Sequence, residues 1–467
     1  MIHSHKVQSN IFEQLLTNQI MESILSVKNF GPIKEVKLNL KNVNVFIGPQ
    51  ATGKSALAKV FTIFKAPRKF FYKKEAENQE VVVDSNKKIS EDVVDVFKEY
   101  NIYSFINKKT EIEFESELHK ITYKNGNLNY EAKLLKQIND LEILAAEFDF
   151  NRKEIVSKFS MLASKFVLFD IRAERVLYSR KQAESVLYNN WEKDLTEDKC
   201  KDLFEILKPI EDDLSTSTAV YIPAERNFVN IIKKSALNLI LNKVPIPKHI
   251  LSFGAELEKL DLKEIDLGFI QKDLMYKVID GEDRIYVNSK QTIALTEAAS
   301  GIQSVVPLLA STFVAPGVVH RSFVIEEPEL NLFPQAQYYL IEFLESKRTD
   351  PHGSWEDYGT IHTYTTHSPY ILSSLNNLLY AYKVKSILNS RLSQEERVGN
   401  GYKINEEVIG KIVKATINPK TFTAYQISNG VAESIFNEET GLISDNFIDM
   451  ASDKVDDDFN ELMELLK

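Results

Sequence analysis

Apolar and polar residues alternate at the start of the chain and then change period. Over residues 24–47, "ILSVKNF" and "KEVKLNL" place apolar side chains at every second position on either side of a "GPI" turn, and "VNVFI" is a short apolar run. That spacing predicts three successive strands. "ALAKVFTIF" then has helical spacing, and "GPQATGKS" stands between the last strand and that helix. A hydrophilic stretch rich in Glu and Lys leads to a helix expected near residues 90–106. "EIEFESELHKITY" and "LNYEA" flank Asn125 and Gly126, a dipeptide that favours a tight hairpin. From residue 132 to 214 the pattern predicts successive amphipathic helices, without the sustained heptads of a coiled coil. Strand-type sequence returns at "TAVYIPAERN", and a second hairpin is expected at Asp280 and Gly281. "LTEAASGIQSVVPLLAST", "SFVIEEPE" and "GTIHTYTTHSPYIL" follow, before an end that mixes short strands with the acidic helix "DKVDDDFNELMELLK".

Strand–helix alternation on both sides of a helical block predicts an α/β sheet protein split by an insertion. The expected divisions are an N-terminal extension over 1–20, a first part over 21–75 and a mainly helical insertion with a β-hairpin over 76–215. A second part over 216–385 and a C-terminal α/β region over 386–467, a candidate partner contact, complete the chain. At 467 residues it exceeds one typical core. The hydrophobic and charged fractions, 43% and 27%, are those of an ordinary globular protein. No apolar stretch approaches the ~20 residues of a membrane span, and the N-terminus lacks a signal-peptide core. The single cysteine, Cys200, leaves no disulfide framework or Cys-based zinc site. A cytoplasmic protein with no membrane partner is the simplest expectation. The net charge of −10 argues against a broad non-specific nucleic-acid surface. The basic run "KAPRKFFYKK" over 65–74 reads first as a solvated helix face, with a nucleic-acid patch as the alternative.

Gly48, Pro49, Gln50, Ala51, Thr52, Gly53, Lys54 and Ser55 fit G-x-x-x-x-G-K-[ST], between a predicted strand and a predicted helix. Backbone N–H groups of such a loop face phosphates, the lysine charges the β- and γ-phosphates, and the serine hydroxyl ligates Mg²⁺. ATP and Mg²⁺ are the implied ligands. The guanine-reading Asn-Lys-x-Asp segment of a GTPase is absent from the sequence. Downstream, "FVIEE" has the apolar strand and terminal carboxylates of a Walker B segment. Glu326 would hold Mg²⁺ and Glu327 would polarise the attacking water. An exposed acidic turn is the bland alternative. "ASGIQ" opens a helix with Ser300, Gly301 and Gln303, explained equally by a phosphate contact or a plain helix cap. His367 in "THSPY" follows a β-rich run and suits a γ-phosphate sensor or a structural histidine.

The set "NFGPI", "GPQATGKS", "ASGIQ", "EEPELNLFP" and "THSPY" resembles the ATP-binding-cassette heads of the SMC, RecF and OLD group, over about residues 21–64 and 219–380. The fold implied is an ABC-ATPase head, a P-loop mixed sheet with flanking helices, interrupted by the insertion. Gln50 and Ala51 stand where the family has Asn-Gly, Ile302 replaces the second signature glycine, and Glu326 replaces an aspartate. The likeness is greatest to compact AAA-type ATPases of bacterial antiphage systems, the ATPase subunits of PARIS and Septu and their retron-associated relatives. It implies that two heads sandwich ATP, with Ser300, Gly301 and Gln303 acting in trans in a homo-oligomer. It implies a separate effector, a TOPRIM-like or HNH nuclease or a toxin, and a phage-encoded trigger. "YIPAER" over 221–226 is either a head element near the nucleotide or subunit seam, or a strand-to-loop corner. A built-in TOPRIM site is disfavoured, because Asp456 and Asp458 fall in the acidic helix rather than at a strand end. A RecF- or SMC-like DNA-binding ATPase is the alternative reading.

Overall fold

A computed structural model of the chain describes residues 22–65, 90–116, 119–132, 219–260, 262–288, 291–312, 322–348, 360–393, 401–444, 459 and 461–463. The extension over 1–20, the basic run beyond residue 65, the helices expected beyond residue 132, Cys200, Asp456 and Asp458 lie outside the described residues.

The three opening strands form as their alternation requires. Strands β1 (Ser23–Phe30) and β2 (Ile33–Leu40) make an antiparallel hairpin, and β3 (Val43–Ile47) is buried along its whole length. Helix α1 (Lys54–Lys65) follows the glycine-bounded loop, and α2 (Ser90–Glu99) is shorter than its sequence suggested, ending in a 3₁₀ turn at Tyr103–Phe105. The run "EIEFESELHKITY" is two strands rather than one. Ser116 N donates to His119 O at 2.9 Å and turns β4 (Glu111–Glu115) back into β5 (His119–Lys124). Strand β6 (Asn127–Ala132) follows the expected turn, where Asn125 and Gly126 both take positive φ, 54° and 79°. Grouped by composition with the insertion, residues 111–132 extend the sheet begun by the first two strands, in the order β2-β1-β4-β5-β6.

The central sheet has six strands. β7 (Ala219–Ile222), β12 (Ser322–Glu326), β13 (Ile361–Thr366), β3 and β14 (Phe422–Ser428) run parallel to their neighbours in that order, and β15 (Val431–Ser434) adds an antiparallel edge. Residues 386–467, expected to stand as a region of their own, thus supply two of its strands. Parallel neighbours need long crossovers, and these carry α3 (Phe228–Leu241), α4 (Lys248–Glu258), α5 (Ser300–Thr312), α6 (Pro334–Arg348), α7 (Pro369–Ser390) and α8 (Gly401–Gly410). Between α4 and α5 lies a small antiparallel sheet of β8 (Glu264–Asp266), β9 (Met275–Ile279), β10 (Glu282–Tyr286) and β11 (Thr292–Ala294). Its hairpin turns at Asp280 and Gly281 as expected. A last two-stranded ribbon pairs β16 (Phe436–Asn437) with β17 (Leu442–Ile443).

Both faces of the central sheet are covered, so its strands read as apolar runs rather than alternating ones. Val43, Val45 and Ile47 of β3, with Phe323 and Ile325 of β12, join one core with α5, α6 and α7. Phe46 and Val324 point the other way, into a second core shared by α1, α2 and the antiparallel sheet. Wedged between two sheets, α1 buries Ala56, Leu57, Val60, Phe61, Ile63 and Phe64, which explains why it is apolar nearly all round. A buried polar contact fixes α6 on β13. Arg348 Nε meets Glu345 Oε2 at 2.6 Å, and Tyr364 OH donates to Glu345 Oε1 at 2.7 Å. Burial alone would raise the Glu345 carboxyl, but the Arg348 and His362 side chains outweigh it and push it down to about 2. Among the described residues no helix is long and apolar enough to cross a membrane.

Candidate active site

The parallel strands β3, β13 and β12 end on one edge of the sheet, and the loops after them bring the predicted residues together. After β3, one glycine is required by a close backbone approach and a second by its positive φ. A Cβ on Gly48 would lie 2.1 Å from Ile427 O, and one on Gly53 (φ 103°) would lie 2.5 Å from Ile33 Cδ1. Ala51 takes φ 62°, the left-handed region, where the resembling heads carry glycine. The position needs that backbone shape, and the alanine adopts it at a cost. Thr52 Oγ1 donates to Pro49 O at 2.9 Å and closes the loop. Lys54 opens α1 and is buried, its Nζ donating to Gly48 O and Pro49 O at 2.7 Å each. An ammonium has a third donor left for a phosphate oxygen. Burial lowers the Lys54 pKa from 10.5 to about 8, against the upward pull of Glu327, Glu329 and Glu326. Pro49, Gln50, Ala51 and Ser55 are exposed.

The three glutamates after β12 have different surroundings. Glu326 is buried, and its Oε1 has no hydrogen-bond partner. Burial raises its pKa, opposed by the nearby Tyr221 and Ser55 hydroxyls and the Lys59 ammonium. The Tyr221 hydroxyl lies beside this carboxyl without a well-formed hydrogen bond. Glu327 takes φ 42°, and its N–H donates to Thr365 O at 2.9 Å, which turns its side chain to the sheet edge. There Glu327 Oε1 meets His367 Nε2 at 3.2 Å. That hydrogen bond lowers the Glu327 pKa despite partial burial, with help from the charges of His367, Lys54 and Arg226. Glu329 reaches back under the same loop, its Oε1 accepting from Thr366 Oγ1 at 2.7 Å and His367 N at 2.9 Å. Burial raises its pKa. The third glutamate, given no role from sequence, therefore holds the backbone of the histidine that faces the second.

Arg226 also emerges from the structure rather than the sequence. It sits in a 3₁₀ turn at Ala224–Asn227 and is fully buried. Its guanidinium donates to Pro223 O at 3.2 Å, Glu326 O at 2.7 Å, Glu327 O at 2.8 Å, Pro328 O at 3.4 Å and Ser304 O at 3.0 Å. Burial lowers its pKa to about 10, against the pull of Glu329, Glu327 and Glu326, so it stays cationic at neutral pH. "YIPAER" forms the strand-to-loop corner after β7, and its arginine is tied to the acidic corner. A second side chain, that of Asn230, meets α5 for a local reason. Pro307 lies inside that helix and lacks the N–H that would bond Gln303 O, which accepts instead from Asn230 Nδ2 at 2.9 Å. Asn230 and Arg226 thus serve adjacent carbonyls of the same helical turn.

The segment from Ser300 to Gln303 does open α5, with Ser300 exposed at its N-terminus. A Cβ on Gly301 would lie 2.6 Å from Asn331 O, so this glycine is required for the helix to approach the loop beyond the glutamates. Ile302, replacing the second signature glycine, packs half-buried on the main core. Gln303 Nε2 donates to Ala298 O at 2.8 Å and Thr296 O at 3.2 Å and braces its own loop. These neighbours are not the P-loop of the same chain. Lys54, Ser55, Glu326, Glu327 and His367 end or follow strands that terminate on one sheet edge, whereas Ser300 is exposed at the start of α5.

Among the described residues no three His, Cys, Asp or Glu side chains converge as a self-sufficient metal site. A Mg²⁺ ion arriving with a nucleotide needs only one or two protein oxygens, since phosphates and waters complete its shell. Ser55 beside the unpartnered Glu326 Oε1 meets that requirement.

Comparison with known proteins identifies the family. A profile of the AAA ATPase domain family matches residues 21–372, well over half of the chain, and the chain belongs to that family. No curated protein matches it. Among solved structures, an SMC head bound to the C-winged helix domain of ScpA is similar at 9% identity and TM-score 0.34, covering 89% of this chain and 96% of that one. The SMC head domain from Thermotoga maritima is similar at 10% identity and TM-score 0.33, covering 89% and 98%. An Smc head with an extended coiled coil, derived from Pyrococcus furiosus and bound to the C-terminal domain of ScpA, has 8% identity and TM-score 0.29, covering 96% and 100%. At such low scores the likeness assigns no role to any residue here.

The left-handed alanine yields a measurable expectation. Ala51→Gly should stabilise the protein by about 1 kcal/mol in denaturant unfolding, because the exposed site gains relief of backbone strain and loses little else. Destabilisation would show that Ala51 is not strained.

Proposed function

We propose that the chain binds and hydrolyses ATP with Mg²⁺ at the sheet edge formed by Lys54, Ser55, Glu326, Glu327 and His367. The observation that carries this reading is the pairing of an ionised, half-exposed Glu327 with His367 beside the P-loop lysine. Loop N–H groups and the Lys54 ammonium bind the β- and γ-phosphates. Glu327 accepts a proton from the water that attacks the γ-phosphorus, the bond from that phosphorus to the bridging oxygen breaks, and ADP and phosphate result. His367 orients the Glu327 carboxylate and keeps it unprotonated, while Glu329 fixes the His367 backbone. A Mg²⁺ ion held by Ser55 and Glu326 supplies charge neutralisation of the phosphates when bound.

Ser300, Gly301 and Gln303 complete the site from a second copy, so that ATP links two heads. The exposure of Ser300 at the N-terminus of α5 supports this. The head pair acts as a slow switch over a separate effector, a TOPRIM-like or HNH nuclease or a toxin, in antiphage defence. Support for that part is the order and wording of the motifs, "GPQATGKS", "YIPAERN", "ASGIQS" and "EEPELNLFP", which resemble the ATPase subunits of PARIS and Septu. A phage-encoded trigger follows from the same resemblance.

Glu327→Gln should retain ATP binding, lose at least a hundredfold in hydrolysis and trap the nucleotide-bound pair, as read by phosphate release and light scattering. Normal hydrolysis by this variant would remove Glu327 as the base. A rate raised by DNA with a steep salt dependence would favour the RecF-like alternative. Lys54 sets a pH dependence. Phosphates favour the charged ammonium, so nucleotide binding takes up a proton wherever the free lysine is already neutral. Affinity should fall as pH rises above about 8. Calorimetry in buffers of different ionisation heat should detect proton uptake in that range; an affinity flat to pH 10 would contradict it.

A further inference from the structure

Helix α8 is apolar on two sides. Ile409 and Val413 form its buried stripe. Its contact with α7 is fixed by Lys385 Nζ on Glu406 Oε1 at 2.6 Å and by Asn405 Nδ2 donating to Asn389 Oδ1 at 2.9 Å. The second stripe, Ile404, Val408 and Ile412, is spaced every four residues and exposed, Ile412 by 75%. α8 ends at Gly410, and Lys411 N donates to Glu407 O at 3.2 Å, Ile412 N to Ile409 O at 2.8 Å and Val413 N to Ile409 O at 3.0 Å in a closing turn on which Ile412 is exposed. Three β-branched side chains in a row on a solvated helix face are not what a surface helix needs for its own stability, and such a stripe marks an interaction site.

A matching stripe lies at the other end of the same third of the chain. Phe459 and residues 461–463 are helical, and Phe459, Leu462 and Met463 fall at i, i+3 and i+4 on one face. All three are exposed, Phe459 by 61% and Leu462 by 62%. The charges are complementary. Residues 451–467 carry six Asp or Glu and two Lys, whereas 383–393 and 401–414 together carry six Lys or Arg and two Glu. Each stripe has the apolar spacing the other would cover, and each carries the opposite flanking charge. Both sets of side chains are exposed in the same structure, so Phe459, Leu462 and Met463 do not cover Ile404, Val408 and Ile412 within one chain.

We propose that the C-terminal segment of one copy docks Phe459, Leu462 and Met463 onto Ile404, Val408 and Ile412 of a second copy, forming a subunit contact that needs no nucleotide. This contact is separate from the ATP-bridged pairing and does not rest on it.

The test uses the full chain without nucleotide, a chain ending at residue 452, and the Ile404→Asp/Ile412→Asp variant, whose changes are on the surface and whose thermal unfolding should match the parent. Sedimentation should show concentration-dependent self-association of the full chain that is lost in the other two. A fluorescent peptide of residues 451–467 should bind the shortened chain, at least tenfold more weakly after Ile404→Asp/Ile412→Asp, and more weakly in 0.5 M than in 0.05 M salt. No peptide binding, or equal binding to the double variant, would overturn the proposal. Peptide binding by a full chain that stays monomeric at all concentrations would also overturn it, because the tail would then serve its own chain.

Discussion

The geometry of the candidate active site depends on one buried cation. Three consecutive carbonyls, those of Glu326, Glu327 and Pro328, turn inward because Glu327 is held at positive φ. Buried carbonyls need donors, and strand pairing does not supply them once β12 has ended. A guanidinium answers with a rigid fork of N–H groups. Arg226 spends that fork on the corner and on Ser304 O of α5, so the loop bearing the glutamates and the helix opened by Ser300 are referenced to one group. Lysine has the charge without the fork, and an apolar side chain would leave all of these carbonyls unpaired.

The charge of Arg226 matters as much as its donors. Glu326, Glu327 and Glu329 crowd within four residues, and two of them are pushed toward protonation by burial. Arg226, Lys54 and His367 surround the group and let Glu327 stay ionised. The crowding resolves into a division of labour. Glu326 presents a free oxygen toward Ser55, Glu327 pairs with His367, and Glu329 anchors the loop that carries His367. Two carboxylates of one sequence run thereby meet the same histidine, one at its side chain and one at its backbone.

What was legible in the sequence was local. The P-loop, the β12 carboxylates, the helix opening at Ser300 and both tight hairpins are written in short runs whose chemistry and period suffice. The role of Arg226 was not legible, because four of its five partners lie 78 to 102 residues away along the chain and all are carbonyls, which leave no side-chain signature. Glu329 escaped for a similar reason, since it bonds a backbone N–H 38 residues on. The strand pairings failed at longer range still. Nothing in "TFTAYQIS" announces that β14 lies against β3, 379 residues earlier by the Phe422 to Val43 register, nor in "EIEFE" that β4 extends the sheet of β1. The resemblance placed Ala51 at a family glycine position, and only the backbone showed that the residue takes a left-handed conformation.

The central claim is that the edge bearing Lys54 and Glu327 becomes a hydrolytic site when a second copy presents Ser300. Complementation tests it directly, with Mg²⁺-dependent phosphate release measured for Lys54→Ala, for Ser300→Arg, and for the two mixed. Each variant alone should be inactive, and the mixture should recover activity, because one of its two composite sites has an intact P-loop facing an intact Ser300. A mixture as inactive as its components, or full activity of Ser300→Arg alone, would contradict the account.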